Sequence, residues 1–250
     1  MNFLKVRSAV LICAAIVAGG PAALATCTDA SLTGVYGITS SGLDSSNQPA
    51  SSVDQITSDG KGSITGSSTK STNGTITTFT FTGKYTVAKN CTGSVTFTNQ
   101  DSSTENDNFV LNSGNKGAFL IQTDNNFTQS RIAVAQGTAT CTDLGVKHTY
   151  AFEATGTVLG IGQSAYAGQL VLNGAGKLTG SVTLSQDGSI ASGVALTGTY
   201  QINSNCTGSA VITPTGLPAM NAHLVVVNGG KQLMVIETDA TTIITGLLQM

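Results

Sequence analysis

Charge is scarce in this chain, and tryptophan is missing altogether. Only 10% of the 250 residues are charged, against about 25% in ordinary soluble domains. Eleven Lys and Arg against 13 Asp and Glu leave no basic footprint of the kind that neutralises nucleic-acid phosphates. Histidine is limited to His148 and His223, and neither stands in a His-x-x-x-His or cysteine-linked metal spacing. There is no Gly-x-Ser-x-Gly elbow, and Gly174-x-Gly176 falls between strand-like segments rather than before a helix, so it is no phosphate loop. Disorder combines low hydrophobicity with high net charge, whereas here 40% of residues are hydrophobic and the formal net charge is −2. No cofactor, metal or nucleic-acid partner is expected.

The N-terminal residues 1–25 read as a secretory signal peptide. Lys5 and Arg7 precede an apolar run from Ser8 to Gly19, and Ala23-Leu24-Ala25 has the small-x-small form of a cleavage site. The run is too short to span a bilayer as a helix. Removal of Lys5 and Arg7 leaves nine cations against 13 acidic residues. The expected location is secreted or periplasmic. Leu24-Ala25-Thr26-Cys27 also resembles a lipoprotein cleavage box, which would instead anchor the chain by lipid on Cys27; the Thr before the cysteine fits that box poorly.

The rest of the chain repeats at a spacing of 114, then 115, residues. Cys27-Thr28-Asp29 returns as Cys141-Thr142-Asp143, and Tyr36 as Tyr150. Asn73-Gly74 returns as Asp187-Gly188, Thr82-Gly83-Lys84-Tyr85 as Thr197-Gly198-Thr199-Tyr200, and Asn90-Cys91-Thr92-Gly93-Ser94 as Asn205-Cys206-Thr207-Gly208-Ser209. Matches in one order with a single inserted residue define two homologous domains, 26–137 and 138–250. The linker at 137–140 is short enough that the two should touch. Cys13 leaves with the signal peptide, so each unit keeps two cysteines. Four cysteines allow three pairings. Only Cys27–Cys91 with Cys141–Cys206 keeps each bridge inside one repeat, as suits an oxidising compartment. Closing a loop of about 65 residues is worth roughly 4 kcal/mol per bridge.

Within each unit the period is two. Phe79, Phe81, Gly83, Tyr85 and Val87 alternate with Thr78, Thr80, Thr82, Lys84 and Thr86, which places one set inward and the other toward water. Asn73-Gly74 and Asp187-Gly188 are type I′ hairpin dipeptides. Segments between turns give eight strands in the first unit, near 32–40, 50–57, 62–69, 75–87, 91–98, 107–112, 117–123 and 128–136. Consecutive strands on short turns argue an antiparallel meander, and eight of them can close into a barrel without edges. The expected fold is all-β: two tandem eight-stranded antiparallel β-barrels. An outer-membrane barrel fits poorly, because aromatic girdles are absent.

Gly34-x-Tyr36, Asp59-Gly-x-Gly62 and Gly83-x-Tyr85-x-Val87-x-x-x-Cys91-x-Gly93 resemble a group of uncharacterised secreted bacterial proteins with an allene oxide cyclase-like, calycin-like β-barrel. The resemblance covers both units. It implies a barrel related in shape to lipocalins and carries over no catalytic residue.

One pair of residues is worth naming for chemistry. His148 shares the parity of Tyr150 and Phe152, and Glu237 that of Leu233 and Val235. If both point inward, an imidazole and a carboxylate meet in the second barrel and tune each other. The plainer reading leaves both in solvent. Unit one has Gly34 and Gln122 at these places. Glu153 and His223 have ambiguous or outward parity. The expected function is non-enzymatic: an exported two-barrel protein binding a small apolar ligand or acting in cell-surface interaction. The alternative is a barrel-pocket isomerase or cyclase-like enzyme acting on an apolar substrate. The oligomeric state is not legible.

Overall fold

A computed structural model describes residues 26–112, 114, 116–138 and 140–250. Residues 1–25, where a signal peptide is expected, lie outside the described residues with Cys13, as does Ala139 of the linker. The first barrel comprises β1 (Thr33–Leu43), β2 (Pro49–Asp59), β3 (Ser63–Thr72), β4 (Thr75–Val87), β5 (Thr92–Asn99), β6 (Thr104–Leu111), β7 (Gly117–Gln122) and β8 (Thr128–Ala135). The second comprises β9 (Thr149–Val158), β10 (Gly162–Leu172), β11 (Lys177–Gln186), β12 (Ser189–Ile202), β13 (Thr207–Pro214), β14 (Met220–Val227), β15 (Gln232–Glu237) and β16 (Thr242–Gln249). Each set forms a closed antiparallel meander, so the all-β two-barrel expectation holds. Among the described residues no helix is long and apolar enough to cross a membrane.

The extra residue in the second copy has a definite place. On β11 Val182 and Leu184 are two residues apart, but their partners Val194 and Ala191 on β12 are three apart. This is a β-bulge, one surplus residue on one strand of an antiparallel pair. Gly193 occupies it with φ 67, a backbone conformation other residues adopt only with strain. Upstream of the bulge the copies match at 114, downstream at 115.

The recurrent motifs build one end of each barrel. The Cys27–Cys91 and Cys141–Cys206 disulfides are both formed, which engages the Cys27 sulfur that a lipid anchor would need. Short 3-10 helices, Asp29–Leu32 and Asp143–Val146, lie across this end and bury Leu32 and Val146. Asp29 Oδ1 accepts from Val87 N at 2.7 Å, and Asp143 Oδ1 from Ile202 N at 2.7 Å. Tyr85 and Tyr200 donate their hydroxyls to the Asp29 and Asp143 carbonyls. Cys-Thr-Asp and the second Gly-x-Tyr are therefore closure devices. At the opposite end Asn73-Gly74 and Asp187-Gly188 all have positive φ, as a type I′ turn demands.

The barrels touch. Outward residues of β14, β15 and β16 (Val225, Val227, Met234, Ile236 and Leu247) pack on Val53 of β2 and Val134 of β8. Gln55 Nε2 donates to the Asn205 carbonyl at 2.6 Å, and Gln136 Nε2 to the Val226 carbonyl at 3.1 Å. Gly37 of β1 lies beneath this contact: a Cβ there would meet Val227 Cγ1 at 2.6 Å.

Candidate functional site: the lumen of the second barrel

Small eight-stranded barrels either fill their interior with side chains or hold one ligand. In this chain the interior of the first copy is filled and that of the second is hollow. The first lumen is filled by a charged cluster that no motif announces. Arg131 of β8 donates through Nη2 to Glu105 Oε2 at 2.7 Å, and its Nε lies 3.2 Å from Asp107 Oδ2. Lys70 Nζ reaches Glu105 Oε1 at 3.4 Å. The Arg131 guanidinium also sits 5.5 Å from the Phe97 ring centroid, close enough for a cation–π contact. Asp54 accepts from Ser52 Oγ at 3.1 Å, and Ser52 pairs with Ser40. Burial opposes ionisation of Glu105, but Arg131 and Lys70 outweigh it and hold that carboxyl below its usual range. Asp107 is pushed up to about 6 by burial, with the charges of Glu105, Asp124 and Asp54 adding to it against Arg131. Burial likewise raises Asp54. The spaces left in this barrel are about 20 Å³ each, about the room one water needs.

The registers of the two barrels superimpose these positions on apolar or small residues. Asp54 and Ile38 pair as Gly168 and Phe152 do. Ser52 with Lys70 becomes Tyr166 with Leu184. Glu105 opposite Phe97 becomes Met220 opposite Ile212, and Asp107 opposite Val95 becomes Ala222 opposite Ala210. Arg131 opposite Leu120 becomes Gly246 opposite Val235. Phe81 and Phe109 are replaced by Leu196 and Leu224. Phe152 and Tyr166 are added in the second copy, but five ionisable side chains are absent from it, and Phe79, Phe81, Phe97 and Phe109 give way to aliphatic residues.

The space they vacate is a cavity of about 430 Å³, within the range of small-ligand sites. Leu170, Leu178, Val182, Leu196, Leu224 and Leu233 form its wall. It reaches the surface at the end away from the disulfide, where Ile161 and Leu217 line the mouth and are 51% and 45% exposed. A hollow of about 650 Å³ between the barrels is lined by Gly, Ser and Thr positions such as Gly42, Ser164 and Thr155, and lacks that apolar enclosure.

Glu237, at the last residue of β15, lines the cavity near its mouth. Its parity is inward, as read from Leu233 and Val235. Burial, with the Asp239 charge added, pushes its carboxyl up to about 7. Tyr166 shares the wall, and its hydroxyl receives a bond from Gln186 Nε2 at 3.0 Å. Near its mouth the site thus offers the Glu237 carboxyl, with Asp239 beside it, and the Tyr166 phenol, above an apolar well whose lining also includes Tyr200.

His148 does not join Glu237. It precedes β9 at the disulfide end and is exposed, with its ring edge-on to Tyr150 at 6.0 Å. Period-two parity fails for it because the strand starts one residue later. Glu153 is exposed on the outer face. His223 is half-buried, and desolvation lowers its pKa. Among the described residues no His, Cys, Asp and Glu cluster could hold a metal.

Comparison with known proteins adds little. No protein-family model matches the chain, and no curated protein does. Among solved structures, it aligns with Aeromonas veronii immune modulator A over 87% of this chain and 94% of that one, at 10% identity and a TM-score of 0.27. That likeness is too distant to bear on function.

Proposed function

We propose that this is an exported, non-catalytic carrier whose second barrel binds one small apolar ligand and whose first barrel is a filled structural copy. The observation that carries this reading is the contrast between the lumens: about 430 Å³ with apolar walls in one, about 20 Å³ pockets in the other. An apolar well with one or two convergent polar groups is the usual form of a small-ligand site. A ligand of matching shape would sit tail-down toward Leu178, with a hydroxyl, amide or amine near Glu237 and Tyr166. The barrel supports kinship with the allene oxide cyclase-like proteins, and the disulfides suit a secreted or periplasmic location.

A second reading rests on Glu237. A carboxyl titrating near neutrality in a desolvated pocket suits general acid or base work, so an isomerase acting on an apolar substrate remains the alternative. Titration with N-phenyl-1-naphthylamine, followed by fluorescence, tests the binding reading. One equivalent should bind, and Ala222→Phe, which fills the lumen from β14, should weaken binding at least about tenfold. Native mass spectrometry of protein purified from its own compartment then reads the mass of any retained ligand. Binding that ignores Ala222→Phe would place the probe elsewhere and sink the proposal.

A further inference from the structure

The contact between the two barrels is written twice in the sequence and used once within the chain. Val225, Met234 and Ile236 are fully buried between the barrels, and Leu247 is packed against them. The residues 115 positions earlier are Val110, Phe119, Ile121 and Ile132. They occupy the same outward places on β6, β7 and β8, and they are 44%, 57%, 58% and 46% exposed. Scattered exposed apolar residues need no explanation, but a contiguous patch does. Here the homologous patch shows what such a face covers.

The opposite half of the contact is repeated as well. Val53 of β2, buried beneath the second barrel, corresponds to Ala167 of β10, and Gly37 of β1 to Ala151 of β9. Ala151, Ala165 and Ala167 are exposed small residues on the outer face of the second barrel. Two of the polar pins recur. Gln55 donates to the Asn205 carbonyl across the internal junction, and both have counterparts, Gln169 and Asn90. Thr241 N donates to the Gly74 carbonyl, and the counterparts are Asn126 and Gly188.

We infer that this chain assembles head to tail with further copies of itself, the β6–β7–β8 face of one copy docking on the β9–β10 face of the next as the β14–β15–β16 face docks on β1–β2 within a chain. Such a contact is heterologous: it leaves one donor face and one acceptor face free at the ends, and repeats into a ring or a fibre. Several departures make it weaker than the internal junction: Gln249 stands where Val134 packs, and Ala167 is smaller than Val53. Ala151 adds a Cβ where Gly37 has none, and Asn112 stands where Val227 packs. The tether between the barrels also supplies an effective concentration that separate chains lack. The proposal stands independently of any ligand in the second barrel.

Sedimentation velocity of the exported chain over a concentration series tests it. Species heavier than monomer should grow with concentration. Phe119→Asp on the donor face and Ala167→Glu on the acceptor face should each raise the apparent dissociation constant at least about tenfold. Both positions are exposed in the monomer, so unchanged melting temperatures would certify the fold. Mixing the two variants should yield a heterodimer and nothing larger, because only one competent donor and one competent acceptor remain. A wild type that stays monomeric throughout overturns the inference. So does Ala167→Glu assembling like wild type while Phe119→Asp does not, since that pattern means a symmetric patch-on-patch dimer.

Discussion

Replacing Glu237 by Gln changes the pH dependence of stability in a way the cavity dictates. The carboxyl has an ordinary value of 4.5 and is pushed up to about 7 in the folded chain. Between these values the folded state holds a proton that the unfolded state has released. Stability therefore falls as pH rises through that window, and the loss is complete above about pH 7. Each pKa unit is worth about 1.4 kcal/mol. The cost of ionising Glu237 in the folded barrel is then about 2–3 kcal/mol at pH 8, allowing for its partial exposure, and negligible at pH 4. Glu237→Gln removes it. The substitution is sterically conservative, and the first barrel already carries Gln122 at this place, buried and donating to Asp124 Oδ2 at 3.1 Å.

Thermal melts of both proteins at pH 4 and pH 8 read the difference. For a chain of this size 1 kcal/mol moves the midpoint by about 2–4 °C, so the variant should gain roughly 5–10 °C more at pH 8 than at pH 4. Groups that titrate equally in both proteins, Asp107 among them, cancel in this comparison. A gain of equal size at both pH values would show that Glu237 is not desolvated, and the reading of its pocket would fall with it.

The first barrel, the disulfides and the junction each carry a test. Arg131→Ala leaves Asp107 buried without its cation and Glu105 with Lys70 alone, which should cost about 3–5 kcal/mol at pH 7 by chemical denaturation; the loss should shrink toward pH 5 as those carboxyls take up protons. Substituting Cys141 and Cys206 together by Ser reopens a loop of 65 residues, for a loss of about 4 kcal/mol, and the matching first-barrel pair should lose about the same. Gly37→Leu drives a side chain into Val225 and Val227. It should part the barrels without opening either, visible as faster hydrogen exchange confined to the outer faces of β14 and β15.

The barrels were legible because their signals are local or periodic. Alternation in β4, the Asn-Gly and Asp-Gly turns and the paired cysteines all act within a few residues or recur at a fixed offset. The chemistry of the lumen was not legible in that way. Asp54, Lys70, Glu105, Asp107 and Arg131 come from four different strands, and each looks like an ordinary surface charge beside its own neighbours. In β6 they even misled the strand boundary: Thr104 to Asn106 read as loop, yet they are strand, with Glu105 turned in to Arg131. Alternation also inverts wherever a barrel's outside is another barrel's partner. Val53 is buried while facing outward, and Asp54 is polar while facing inward. The signal that resolves both cases is the repeat, compared position by position. Where the copies agree, at Cys-Thr-Asp and Gly83-x-Tyr85, the residues close the barrel end. Where they disagree along inward positions, one copy has exchanged five charges for Gly, Leu, Met, Ala and Gly, and a filled interior for a hollow one. The joint absence of those charges from the second barrel, with apolar walls in their place, is the contrast on which the proposed binding function rests.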